Sequence, residues 1–143
     1  MRVFFLAAMA LLAPQVAVAG HHEQALKLVK RQADALMTVT SINLGDNGTT
    51  ITAAGDMGEY GKGYTTYKLT RGADGASAKV IGQGRGVSDN EVATGDFVGH
   101  GYREGAVLTV RNTVQINDGS QNLDVITFDA AHNELLLRAY MLK

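Results

Sequence analysis

The chain of 143 residues contains no cysteine and no tryptophan, and its one proline, Pro14, lies just after an apolar N-terminal run. Without cysteine there is no disulfide framework, no thiolate metal site, no thiol nucleophile and no cysteine to carry a lipid anchor. Charge is scarce and balanced, with 13 Lys plus Arg against 14 Asp plus Glu, which argues against electrostatic binding of nucleic acid. Stable membrane insertion is not expected either, because no apolar run approaches the roughly 20 residues a helix needs to span a bilayer. The chain has 17 glycines, all from Gly20 onward. Turns beyond Pro14 must therefore be built from Gly, Asn and Asp.

The N-terminus reads as an address. Met1-Arg2 is a short positive start, Val3 to Leu12 an apolar run of about ten residues, and Ala17-Val18-Ala19 a small-x-small cleavage pattern. These features predict a secretory signal over 1–19, export to the periplasm or beyond, and a new N-terminus at Gly20. Gly20-His21-His22 would then present an amine, two amide nitrogens and an imidazole, the tetragonal nitrogen set preferred by Cu(II) and Ni(II). His21 and His22 are accordingly the candidate metal ligands, against the plainer reading of a frayed terminus whose histidines do nothing. No other cofactor is indicated.

From Glu23 to Leu36 the apolar residues Leu26, Val29, Ala33 and Leu36 recur at three and four, predicting a short helix over a segment set at 20–36. Its basic residues Lys27, Lys30 and Arg31 read as a solvated face. From residue 37 the pattern changes. Asp46-Asn47-Gly48, Asp74-Gly75, Ser88-Asp89-Asn90, Glu104-Gly105, Asn117-Asp118-Gly119-Ser120 and Ala131-His132-Asn133 punctuate stretches rich in Thr, Val, Ile and Tyr. The predicted strands are Met37–Leu44, Thr49–Asp56, Gly63–Thr70, Ala76–Val87, Glu91–Tyr102, Ala106–Ile116, Asn122–Asp129 and Glu134–Leu142. About eight strands in one antiparallel meander predict an all-β fold closing into a barrel over 37–143, since closure removes exposed edges.

Two strands carry unusual inner faces. Gly82, Gly84 and Gly86 share one face of one strand, and Gly95, Gly99 and Gly101 share one face of the next. Such rows mark sharp coiling, or room for a large neighbour or a ligand. Gly82-Gln83-Gly84-Arg85-Gly86 lacks the spacing and the following helix of a phosphate loop. On the opposite face Arg85, Asp96, His100 and Tyr102 gather a guanidinium, a carboxylate, an imidazole and a phenol. These could orient a ligand or move a proton, or simply form a hydrated outer face with cross-strand ion pairs. Asn112 shares its face with Leu108, Val110, Val114 and Ile116, so its amide should lie in the core and needs a partner there, from backbone, side chain, water or ligand. The last strand is apolar on both faces, which leaves one face for a partner subunit or the N-terminal helix.

The Gly-rich meander, with Gly82-Gln83-Gly84-Arg85-Gly86-Val87 followed by Gly95-Asp96-Phe97, resembles the small secreted barrels of the allene oxide cyclase and dirigent type, and more loosely the lipocalins, whose Gly-x-Trp is absent. The resemblance covers about Thr49 to Leu142. It implies a barrel able to hold a hydrophobic small molecule as carrier or cyclisation template, with trimerisation as a further implication. The functional expectation is a binding barrel for a small apolar ligand, with homo-oligomers compatible with it. A packed structural or interaction module and a cyclase- or isomerase-like enzyme are the alternatives. The candidate ligand-binding residues are Asn112, Arg85, Asp96, His100 and Tyr102.

Overall fold

The computed structural model describes residues 27–143. The signal segment and the histidine pair His21-His22 lie outside the described residues. Nine strands follow in order: β1 (Val29–Lys30), β2 (Ala35–Gly45), β3 (Gly48–Asp56), β4 (Lys62–Arg71), β5 (Ser77–Val87), β6 (Val92–Glu104), β7 (Val107–Ile116), β8 (Gln121–Asp129) and β9 (Glu134–Met141). A single 3₁₀ turn, Gly58–Tyr60, joins β3 to β4. Each strand from β2 to β9 pairs antiparallel with the next, and β9 also pairs with β2, which closes an eight-stranded barrel.

The predicted helix over Glu23–Leu36 is not found where the chain is described. No α-helix occurs among the described residues, and the barrel begins before residue 37. Val29 and Lys30 pair instead with Met141 and Tyr140, Arg31 N donates to Ala139 O at 2.9 Å, and Ala35 enters β2 opposite Leu137. The reason is the edge of β9, whose backbone groups need a ladder partner that a helix could not supply. Tertiary pairing outweighs a helical period whose members Val29 and Leu36 are 45% and 58% exposed, whereas Ala35 and Met37, alternating as strand residues do, are buried. On the outer face of β9, Leu136 has the exposed Leu36 of β2 as its cross-strand neighbour.

The turns work without proline. Asp56, Asp74, Asp118 and Asp129 each accept the backbone N–H two residues on, at 2.8 to 3.0 Å, so a carboxylate closes each of these turns. Asn133, in the turn before β9, is the one non-glycine residue with positive φ among the described residues, at 56°. Asn133→Ala should therefore cost about 1 kcal/mol while Asn133→Gly is tolerated, measured by denaturant unfolding.

The middle of the barrel is packed. Met37, Val80, Ile126 and Leu135 are almost wholly buried, and the Tyr67 and Phe97 rings meet with centroids 4.9 Å apart. Most of the glycine-rich inner surface is filled by neighbours. A methyl on Gly82 would come within 2.4 Å of the Phe97 ring, one on Gly86 within 2.4 Å of Tyr60 O, and one on Gly99 within 2.4 Å of Asn112 Oδ1. Large side chains fold over glycines on the adjoining elements, a way of building strong curvature without leaving holes.

Candidate functional site

Gly84 breaks this filling opposite Gly95, where a methyl would already meet Val114 Cγ1 at 3.0 Å. The two glycines are ladder partners on one inward row, flanked by Thr65 on β4 and Ile116 on β7. A methyl on Gly84 would meet nothing closer than Thr65 Cγ2 at 3.6 Å. Two successive strands thus lack a side chain at the same level, and a cavity of about 50 Å³ results. That is room for about three waters, or for the head of a small ligand. Met57, Phe97, Val114, Ile116, Leu137 and Ala139 supply its apolar lining; Tyr60, Thr65, Tyr67, Asn122 and Asp124 supply polar groups.

The polar groups arrive from separate elements by strand alternation. Asn122 and Asp124 point inward with Ile126 and Phe128 from β8, Thr65 points inward with Tyr67 from β4, and Tyr60 comes from the 3₁₀ turn. Thr65, Asn112, Asn122 and Asp124 are the buried polar side chains of the described residues. Asn122 Oδ1 accepts from Arg31 Nε, and Arg31 Nη2 donates to Lys143 O at 3.0 Å, so the bend after β1 is fastened to the C-terminal end. The other polar groups are left open. Asp124 Oδ1, Thr65 Oγ1, Tyr60 Oη and both polar atoms of the Asn112 amide are buried without a protein partner.

Electrostatics follow from this burial. Loss of water pushes the Asp124 carboxyl up to about 7, against a smaller opposing pull from the Arg31 charge. The Tyr67 hydroxyl is raised well above its ordinary value, first by complete burial and further by the negative charge of Asp124, with the nearby polar side chain of Thr65 opposing. The Tyr60 hydroxyl is raised mainly by partial burial. A carboxyl that titrates near neutrality beside buried hydroxyls can accept or give a proton, or hold a polar ligand group, around pH 7.

Asn112 lies where its apolar face placed it. It is wholly buried, opposite Gly99 on one side and Asp124 on the other. No protein group partners its amide among the described residues, and Asn112 is not among the residues lining the cavity. Arg85, Asp96, His100 and Tyr102 are all exposed, on the outer faces of β5 and β6. Arg85 stands opposite Tyr64 and Thr94 rather than Asp96, and its guanidinium donates to Gly84 O at 2.8 Å and to Gln83 Oε1 at 3.4 Å. Asp96 faces Gln83 and Gln115, His100 faces Lys79 and Arg111, and Tyr102 faces Ser77 and Thr109. The structure does not assemble these four into one site: Arg85 is among the residues lining the cavity, and Asp96, His100 and Tyr102 are not. No cluster of three or more His, Cys, Asp or Glu able to hold a metal occurs among the described residues.

No known family, curated protein or solved structure matches this chain. Sequence reasoning passed over Asp124, Asn122, Thr65, Tyr67 and Arg31. A signal existed for Asp124, which is in phase with Ile126 and Phe128, but Leu123 and Val125 make the opposite phase equally apolar and so hide which face is inner.

The other end of the barrel opens as a basin of about 820 Å³ between the β2–β3, β4–β5 and β6–β7 turns. Its floor is Ile51, Leu69, Leu108 and Phe128, and Asp46, Arg71 and Arg103 also line it. None of the unpartnered buried polar atoms belongs to its floor, so the cavity at Asp124 is the better candidate. No helix of the described residues is long and apolar enough to cross a membrane.

Proposed function

We propose that the protein is a binding barrel that takes the head of one small, mainly apolar molecule in the cavity between the β4–β7 inner wall and Asp124. The observation that carries this reading is the set of open buried polar atoms, Asp124 Oδ1, Thr65 Oγ1 and Tyr60 Oη, around a space that Gly84 and Gly95 leave unfilled. Leaving such atoms without hydrogen bonds costs about 1–3 kcal/mol each, so a partner of about the right size is favoured there. A cavity with apolar walls and a few aimed polar groups has the composition of a small-molecule site. Action after export is part of the proposal, supported by Met1-Arg2, the apolar run and Ala17-Val18-Ala19. The resemblance to allene oxide cyclase and dirigent barrels supports the same class of ligand. A cyclase- or isomerase-like enzyme in the same cavity is the second reading, favoured by a carboxyl near pKa 7 next to the buried Tyr67 hydroxyl.

The cavity can be closed by one substitution. Gly84→Val places a branched side chain where a methyl meets only ordinary contacts, so the barrel should still form. Titration of 1-butanol should shift the backbone amide resonances of Thr65, Gly84, Gly95 and Asp124 in wild type, and shift none of them in Gly84→Val. Absence of any shift in the wild type would overturn the proposal.

A further inference from the structure

Resting on that reading of the cavity, we propose that its natural ligand carries a cationic head, a primary ammonium on a short apolar chain, and that Asp124 is the counter-ion. Asp124 is an ionisable group inside the barrel, 9% exposed, with one carboxylate oxygen lacking any hydrogen bond and no ion pair among the described residues. A buried carboxylate without a partner is costly, and a charge of opposite sign in contact is what relieves it.

The surroundings fit an ammonium better than a carboxylate or a bare hydroxyl. An ammonium has three N–H donors and no acceptor, and Asp124 Oδ1, Thr65 Oγ1 and Tyr60 Oη offer three unpartnered oxygens from β8, β4 and the β3–β4 turn around one space. Thr65 is 6% exposed and Asp124 9%, so both act where water competes poorly. The cation already near Asp124, Arg31, is committed elsewhere, to Asn122 Oδ1 and Lys143 O. The other polar groups are the neutral Asn112 amide opposite Asp124 on β7, the neutral Thr65, Asn122, Tyr60 and Tyr67 of the lining, and the exposed Arg85, whose guanidinium is turned to Gly84 O and Gln83 Oε1. Apolar carbons of the ligand would lie against Phe97, Ile116 and Leu137. A ligand carboxylate would instead meet Asp124 charge to charge.

The test uses three probes of one shape, butylamine, 1-butanol and butyrate, titrated into the full chain and followed by calorimetry and amide shifts at pH 8.5. Butylamine should bind about tenfold or more tightly than 1-butanol, as a charge-assisted bond exceeds a neutral one by about 1.4 kcal/mol, and butyrate should not bind. Asp124→Asn, shown to be folded by circular dichroism, should bring butylamine down to the level of 1-butanol, and Gly84→Val should block both. If butylamine and 1-butanol bind equally, or if Asp124→Asn leaves the amine preference intact, the cationic ligand is wrong while the cavity reading stands. If no probe binds the wild type, both are wrong and the cavity is a site for water alone.

Discussion

Gly99→Ala is expected to lower the melting temperature by about 10 °C or more. The methyl would lie 2.0 Å from Arg111 O, 2.8 Å from Arg111 C and 2.4 Å from Asn112 Oδ1. Two of these three atoms are backbone of β7, paired to β6 along ten ladder positions from Gly95↔Ile116 to Glu104↔Val107. Neither strand can withdraw without breaking its ladder, so relief must come from displaced backbone. Overpacking that a core can absorb costs about 1–3 kcal/mol, and a clash against backbone belongs at or above the top of that range. At about 4 °C per kcal/mol for a domain of this size, the shift follows. Gly84→Ala is the control. Its methyl has 3.6 Å of clearance, so it should melt within about 2 °C of wild type. Thermal unfolding of the two variants side by side decides the matter, and equal melting temperatures would show that the glycine rows do not set the packing.

Asp124→Asn should make the protein more stable at pH 8 than the wild type, by several kcal/mol, and should do so only above about pH 5. The Asp124 carboxyl sits near pKa 7 in the fold against 3.8 when free. The folded state therefore keeps a proton that the unfolded chain gives up between pH 4 and 7. Stability then falls as pH rises through that window, because the native state binds more protons than the unfolded state. The full loss is about 4 kcal/mol above pH 7, from roughly three units at 1.36 kcal/mol each. Asparagine has nothing to ionise. The stability difference between variant and wild type should thus grow by about 3 kcal/mol from pH 4.5 to pH 8 in urea unfolding. His132 acts in the same direction in both proteins. Its imidazolium is held by the Asp129 carboxylate at 2.9 Å, which raises its pKa, so that contribution is present below about pH 6.5 and lost as pH rises. It cancels in the comparison. A constant difference across the range would mean that Asp124 is ionised and hydrated in the fold.

The strands were readable because their two faces differ. Val107–Ile116 alternates buried Val110, Asn112, Val114 and Ile116 with exposed Arg111, Thr113 and Gln115, so period two assigns both the strand and its inner face. Predicted and observed strands agree within about two residues at every end for the same reason, the Asp-, Asn- and Gly-rich turns supplying the stops. Asn112 was recognisable as a core amide on that basis. Asp124 was not, since both faces of β8 are apolar, and only closure of the barrel against β9 determines which is inside. Arg85, Asp96, His100 and Tyr102 drew attention by their chemistry, yet alternation sends all four outward.

The sequence by itself determined an all-β meander, its turns and the inward course of Asn112, because these depend on periodicity and on residues that act on their own backbone. Tertiary structure decided the rest. The edge of β9 turned a helical pattern into β1 and the start of β2, since unpaired ladder groups outweigh local propensity. Register decided that Phe97, Tyr60 and Asn112 cover Gly82, Gly86 and Gly99, while Gly84 falls opposite Gly95 and stays open. Closure then carried Thr65, Tyr60 and Asp124, residues up to 64 positions apart, to one small space. No local pattern encodes such a meeting, because it depends on how eight strands share one interior.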